Sequence, residues 1–190
     1  MRVVGGRHRS RRLVVPLGDA VRPTSDRARE ALFNILSHGN FATVGSPFAG
    51  ENVLDAFAGT GALGFEALSR GAARAVFIET DRAALRALRQ NVAALDEEDA
   101  ADIVAGDATR PPRAPYACAL AFLDPPYHTG LAAPALTELA RMGWLEPRAL
   151  AVVEIAASED FLVPDGFTMI VARRYGTARL VFLRREGGSR

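Results

Sequence analysis

The 190 residues weigh 20.3 kDa and carry a formal net charge of +1, with 49% hydrophobic and 24% charged side chains, a balance that excludes a disordered or fibrous chain and suits one domain with at most a small appendage. The one cysteine, Cys118, excludes an internal disulfide and a Cys-cluster metal site and fits a reducing cytoplasm. No apolar run reaches the roughly 18 residues of a membrane helix, and the basic N-terminus lacks the apolar stretch of a secretory signal, so a cytoplasmic protein is expected.

All 23 basic residues are arginine. Residues 1–12 hold five of them, Arg2, Arg7, Arg9, Arg11 and Arg12, and no acid; against a total of +1, the rest of the chain carries −4. Such a block is either a solvated face or a contact for a polyanion, and forked guanidinium donors suit phosphate. Arg2-Val3-Val4 and Leu13-Val14-Val15 flank a Gly5-Gly6 turn, which predicts a basic β-hairpin. Arg22 to Asp26 reads as a loop entering a helix, with Thr24 or Ser25 as cap and Asp26 at the positive helix end. Ala28, Ala31, Leu32, Ile35 and Leu36 then share one helical face, and residues 37–51 form a linker.

From Asn52 the pattern alternates. Strands are expected at 53–57, 75–79, 103–104, 117–123 and 149–155, with helices following the first to about Arg70, over 85–95 and over 131–142. That alternation implies right-handed βαβ units and a mostly parallel, doubly wound sheet. The tail differs: segments 167–173 and 178–183 are separated by Tyr175-Gly176-Thr177, so the last strands are expected to be antiparallel.

The first strand runs into Phe57-Ala58-Gly59-Thr60-Gly61-Ala62-Leu63-Gly64, a G-x-G-x-x-G turn, and Glu79 follows 20 residues after Gly59 at the end of the next strand. Glycines there let the backbone approach a ligand, and an acid at that distance receives a ribose diol. A dinucleotide would set its pyrophosphate at the helix N-terminus. Asp55, just before the turn, would repel that group but could pair with the cationic head of S-adenosylmethionine. Asp107, with Ala108 behind it, follows the third strand and can accept from an adenine amino group. Glu79 and Asp81 both remain candidates for the ribose.

Asp124-Pro125-Pro126-Tyr127 closes the fourth strand, where two prolines stop both sheet pairing and helix entry. The chemistry fits an exocyclic amine on an aromatic base. Asp124 and the Pro125 carbonyl can accept its N–H groups and free the lone pair, Pro126 stiffens the turn, and Tyr127 can stack on the base. A target of this kind is flipped out or unpaired.

These residues resemble a class I S-adenosylmethionine-dependent methyltransferase, specifically the RsmD family of bacterial 16S ribosomal RNA guanine-N2 methyltransferases. The resemblance runs through Val4-Gly5-Gly6, the block from Arg22 to Asn34, Val53 to Gly64, Ser69-Arg70-Gly71-Ala72, Asp124 to Tyr127 and Gly143-Trp144-Leu145. The N-terminal block is its specific part. The resemblance implies a Rossmann-like seven-stranded sheet with a reversed last strand. It also implies S-adenosylmethionine as cofactor and methylation of one guanine in 16S rRNA within the small ribosomal subunit. On this reading residues 1–40 form the RNA-docking hairpin and helix, and 41–190 the methyltransferase domain. Arg7, Arg9, Arg11, Arg12 and Arg22 are the RNA contacts. Asp124 to Tyr127 are catalytic, and Asp55, Phe57, Ala58, Gly59, Thr60, Gly61, Glu79, Asp81, Asp107 and Ala108 hold the cofactor.

His8, His38 and His128 are scattered, so no metal is expected. Trp144 and Cys118 read as core residues, and nothing demands more than a monomer. A DNA adenine-N6 or cytosine-N4 methyltransferase would share the Asp-Pro-Pro-Tyr chemistry but lacks an inserted target-recognition segment here. A non-catalytic RNA-binding assembly factor would not need that run intact. A nicotinamide enzyme would need a second domain.

Overall fold

The computed structural model describes residues 1–16, 26–38 and 47–187. Its elements in chain order are α1 (Asp26–His38), β1 (Asn52–Ala56), α2 (Ala62–Ser69), β2 (Arg74–Glu79), α3 (Arg82–Ala94), β3 (Ala101–Ala105), β4 (Cys118–Leu123), α4 (Ala132–Arg141), β5 (Leu145–Ala156), β6 (Phe167–Tyr175) and β7 (Ala178–Arg185). The expected Thr24 or Ser25 cap and Arg22 lie outside the described residues. So does the junction at residue 40 between the two expected domains.

The seven strands form one sheet in the order β3-β2-β1-β4-β5-β7-β6. The first five in sequence are parallel; β7 inserts between β5 and β6 and pairs antiparallel to both, which gives the expected Rossmann-like sheet with a reversed last strand. The chain winds from β1 outward to β3, then returns to the other side of β1 with β4. The winding reverses there, so a crevice opens beyond the carboxyl ends of β1 and β4.

Strand alternation divides the core. Val53, Phe77, Leu120, Phe122, Val152 and Phe182 face α1, α2 and α3. Leu54, Ile78, Ala121, Leu123, Val153 and Leu183 face α4 and Trp144 on the other side. Trp144 is fully buried and its indole N–H donates to the Pro112 carbonyl at 2.8 Å. Cys118 is buried in β4, where desolvation pushes its thiol up to about 12, so it is a core residue and no nucleophile.

One element differs from expectation. β5 begins four residues before the expected Ala149, because Glu146-Pro147-Arg148 reads as a loop. The structure absorbs it as an irregularity in the β4–β5 register, with Arg148 at φ 67°. The N-terminal hairpin forms with one antiparallel bridge, Arg2 to Arg12, its arms joined by backbone bonds from Val3 N–H to the Arg11 carbonyl, Ser10 N–H to the Val3 carbonyl and Leu13 N–H to the Met1 carbonyl. Its turn also bonds to α2. Arg7 N–H donates to the Ser69 carbonyl at 2.7 Å, and a Cβ on Gly6 would meet that carbonyl oxygen at 1.9 Å.

The hairpin is fastened to the body by charge and by packing. Val3 and Leu13 are buried in the same cluster as Leu32, Phe33, Phe65 and Phe77. Glu66, fully buried on α2, accepts the Val4 N–H at 2.8 Å and the Arg70 guanidinium at 2.7 Å, with Arg29 Nε at 3.9 Å. Buried Glu97 takes Arg7 at 2.5 Å and His8 at 2.6 Å. The hairpin is thus part of the core and not a tethered arm.

Candidate active site

The crevice contains a cavity of about 720 Å³, large enough for a nucleoside-sized ligand with a further group beside it. The loop after β1 forms its floor. Phe57, Gly59 and Gly61 take left-handed backbone conformations (φ 63°, 55° and 83°), which fold the chain into a tight turn before α2. The Phe57 conformation costs about 1–2 kcal/mol, a strain typical of ligand-holding loops. A Cβ on Gly59 would meet nothing within 4 Å, so its backbone is open for close approach. Gly64 serves the opposite purpose. A Cβ there would lie 2.3 Å from Phe77 Cε1, so this glycine lets α2 settle directly on β2.

Two carboxylates lock the loop. Asp55 on β1 is buried and accepts the Gly64 N–H at 2.8 Å, reaching an amide in the first turn of α2 that has no intrahelical partner. Burial pushes its carboxyl up to about 8, and the neighbouring Glu79 charge adds to the rise against the Gly64 hydrogen bond. Glu79 ends β2. Its Oε2 accepts the Gly59 N–H at 2.7 Å and its Oε1 accepts the N–H groups of Thr80 and Asp81, each at 2.7 Å. Both carboxylates line the cavity.

Asp124, Pro125, Pro126 and Tyr127 form the facing wall. Beside them stands Glu154 on β5. Leu123 is in register with Val153, so Asp124 and Glu154 occupy the next places on adjacent parallel strands. Glu154 is 8% exposed, and its Oε1 accepts the Tyr127 hydroxyl at 2.8 Å. The remaining wall comes from Met1, from Ala28, Arg29 and Leu32 of α1, and from Tyr175, Thr177 and Ala178 at the β6–β7 turn.

The cavity therefore gathers most of the residues singled out in sequence: Asp55, Phe57, Ala58, Gly59, Thr60, Glu79 and the run Asp124 to Tyr127. Four others are placed elsewhere. Gly61 is the N-cap of α2, where a Cβ would strike Leu88 and Phe65. Asp81 is the N-cap of α3, its carboxylate accepting the Ala84 N–H at 2.7 Å. Asp107 accepts the Thr109 N–H and hydroxyl, both at 2.8 Å, which hold its carboxyl below the usual range. Ala108 is buried against the α4 side of the sheet. The loop carrying both is pinned beside Glu79 by a Gly106 N–H bond to the Glu79 carbonyl at 2.9 Å.

Of the basic set, Arg7 pairs with Glu97 and Arg11 donates to the Ala94 carbonyl, whereas Arg9 and Arg12 are exposed with no side-chain partner among the described residues. Sequence reasoning missed Glu154, Arg29 and Met1. An ionisable residue inside the apolar run Ala149 to Ile155 was a signal for Glu154, since carboxylates are rarely placed in a buried strand without a task. Arg29 is fully buried and donates to Asp26 at 2.9 Å and to the Arg2 carbonyl; nothing local in the sequence separates it from the chain's other arginines. No group of three or more acidic, His or Cys side chains fit for a metal occurs among the described residues.

A family model described as "Conserved hypothetical protein 95" matches residues 1–184. The ribosomal RNA small subunit methyltransferase D of Haemophilus influenzae is 34% identical over 181 residues, covering 93% of this chain and 89% of the relative. The protein of the same name from Escherichia coli K12 is 39% identical over 154 residues, covering 81% and 74%. Among solved structures, the Escherichia coli protein yhhF superposes with a TM-score of 0.82 at 36% identity, covering 99% of both chains.

Proposed function

The chain belongs to the RsmD family of ribosomal RNA small subunit methyltransferases, and from that premise we propose that it methylates the exocyclic N2 amine of one guanine in 16S rRNA with S-adenosylmethionine as donor. The observation that carries the reading is the pairing, in one cavity, of the glycine turn bounded by Asp55 and Glu79 with the wall Asp124 to Tyr127.

The donor fits the residues present. Gly59 leaves backbone open to close approach and Glu79 offers acceptor oxygens to a ribose diol, while the loop carrying Asp107, the candidate for the adenine amine, is tied to the end of β2 by the Gly106 N–H bond to the Glu79 carbonyl. Glu79 is the better ribose partner, because it lines the cavity and Asp81, the cap of α3, does not. A buried carboxyl lifted to about 8 has most to gain from a cationic amino-acid head. When bound, S-adenosylmethionine supplies a methyl group on a sulfonium, an electrophile that needs no metal. Asp124 and the Pro125 carbonyl accept the N–H groups of the target amine, which weakens delocalisation of its lone pair into the ring. Tyr127 holds the base by stacking, with its hydroxyl fixed on Glu154. Transfer of the methyl group would leave positive charge on the amine, and Asp124 would take up the proton the amine sheds. The base must leave its helix to reach this wall, which favours an unpaired or flipped guanine.

Asp124→Ala tests the assignment. Turnover should fall on the order of a hundredfold or more, while affinity for S-adenosylhomocysteine by calorimetry stays within about twofold. Normal turnover, or loss of both together, would remove Asp124 from the amine.

A further inference from the structure

The reading above uses Glu154 only to hold the Tyr127 hydroxyl, yet Glu154 is a buried carboxylate that lines the same cavity. We propose that Glu154 determines the choice of base, accepting the N1–H of the flipped guanine while Asp124 accepts the N2 amine. The inference rests on the guanine reading above and deepens it.

Three observations converge. Asp124 and Glu154 hold the places next after the Leu123–Val153 pair of two adjacent parallel strands, and both line the cavity, which brings two carboxylates to one edge of the crevice. Guanine presents two donors side by side on its Watson–Crick edge, N1–H and N2–H, and adjacent acceptors complement them. Adenine and cytosine each carry a ring acceptor beside the amine, which a carboxylate would repel. Tyr127, between the two strands in the chain's path, donates its hydroxyl to Glu154 Oε1 at 2.8 Å. A carboxylate has about four lone-pair directions, so this bond orients Glu154 without exhausting it. Because the donor is the stacking residue itself, the same contact fixes the plane in which the base lies. Leu180, paired with Glu154 on β7 and buried, lines the cavity beside it, and burial strengthens a charge-assisted hydrogen bond formed there.

A purely structural Glu154 would act only through Tyr127. The two roles separate by experiment. The acceptor guanine is first located by nucleoside mapping of small subunits labelled with the wild-type enzyme. Subunits are then reconstituted with rRNA carrying either guanine or 2-aminopurine at that position. 2-Aminopurine keeps the N2 amine but has a bare N1 acceptor. Wild type should prefer guanine by about a hundredfold or more in kcat/KM. Glu154→Gln keeps an acceptor for the Tyr127 hydroxyl but can also donate to a bare N1. It should lose guanine activity and narrow the preference at least tenfold, with unchanged affinity for S-adenosylhomocysteine. Tyr127→Phe should slow both substrates and leave the preference intact. An unchanged guanine preference in Glu154→Gln, or an equal narrowing in Tyr127→Phe, would overturn the proposal. Absence of N2-methylguanosine from the wild-type reaction would instead overturn the underlying reading, at the mapping step and before any variant is compared.

Discussion

Burial and a neighbouring acid lift the Asp55 carboxyl to about 8, so near neutrality the free protein holds a proton there that an unfolded chain, with its ordinary value of 3.8, has shed. The sign follows. This group's contribution to stability declines as pH rises from the ordinary carboxylate range toward 8, because unfolding releases a proton that the folded state retains, and the decline stops once the folded carboxyl also ionises. A bound cationic head favours the carboxylate, so ligand binding releases that proton. Affinity for S-adenosylhomocysteine should therefore climb as pH rises from about 6 to 8 and then level off. Calorimetry in buffers of different ionisation enthalpy would register the proton release. Asp55→Asn should flatten the profile, keep its bond from the Gly64 N–H, and bind more weakly; an unaltered slope in the variant would place the proton elsewhere. Gly64 offers a second test at this scale. A methyl group 2.3 Å from Phe77 Cε1 must displace the ring or the helix, so Gly64→Ala should destabilise by about 1–3 kcal/mol in denaturant titration.

Among the elements, the N-terminal hairpin has a structural role, and the RNA docking proposed for it is not separable from that role by composition alone. Five arginines in twelve residues suggest one cationic surface. In the fold, Arg2 pairs with Asp26, Arg7 with buried Glu97, and Arg11 ties to the end of α3, which leaves Arg9 and Arg12 as the two with no side-chain partner among the described residues. Replacing Arg7 would leave buried Glu97 with the His8 ring alone, so a loss of activity there would report folding as much as docking. Arg9→Ser with Arg12→Ser should instead weaken binding to small subunits and reduce the log–log salt slope by roughly 0.7–0.9 per lost phosphate contact. Cofactor affinity should not change. An unaltered slope would place RNA docking on another face. Deleting residues 1–16 is a different perturbation. It uncovers the partners of Val3 and Leu13, each worth about 1.5–3 kcal/mol of burial, and should lower the unfolding midpoint even without RNA.

For the molecule as a whole, the alternation of apolar strands and amphipathic helices made the doubly wound sheet legible, and the Tyr175-Gly176-Thr177 turn made its reversed end legible. Side-chain chemistry attached to strand ends was legible too, since G-x-G-x-x-G and Asp-Pro-Pro-Tyr are local strings. What stayed hidden depends on register and docking. Glu154 is functional in this account because β5 lies beside β4, a relation no window of sequence contains. Asp81 and Gly61 resemble ligand contacts in sequence, yet both cap helices, a use that shares their residue types. Met1 and Arg29 reach the cavity only because the hairpin and α1 fold over the sheet.

The most direct measurement of the central claim is transfer of labelled methyl from S-adenosylmethionine to small ribosomal subunits lacking the modification, with naked 16S rRNA and duplex DNA in parallel, followed by digestion to nucleosides. The account predicts label in N2-methylguanosine from ribosomal RNA, abolished by Asp124→Ala. Label in N6-methyladenine or N4-methylcytosine from DNA, or no transfer to any of the three by a protein that binds S-adenosylhomocysteine, would contradict it.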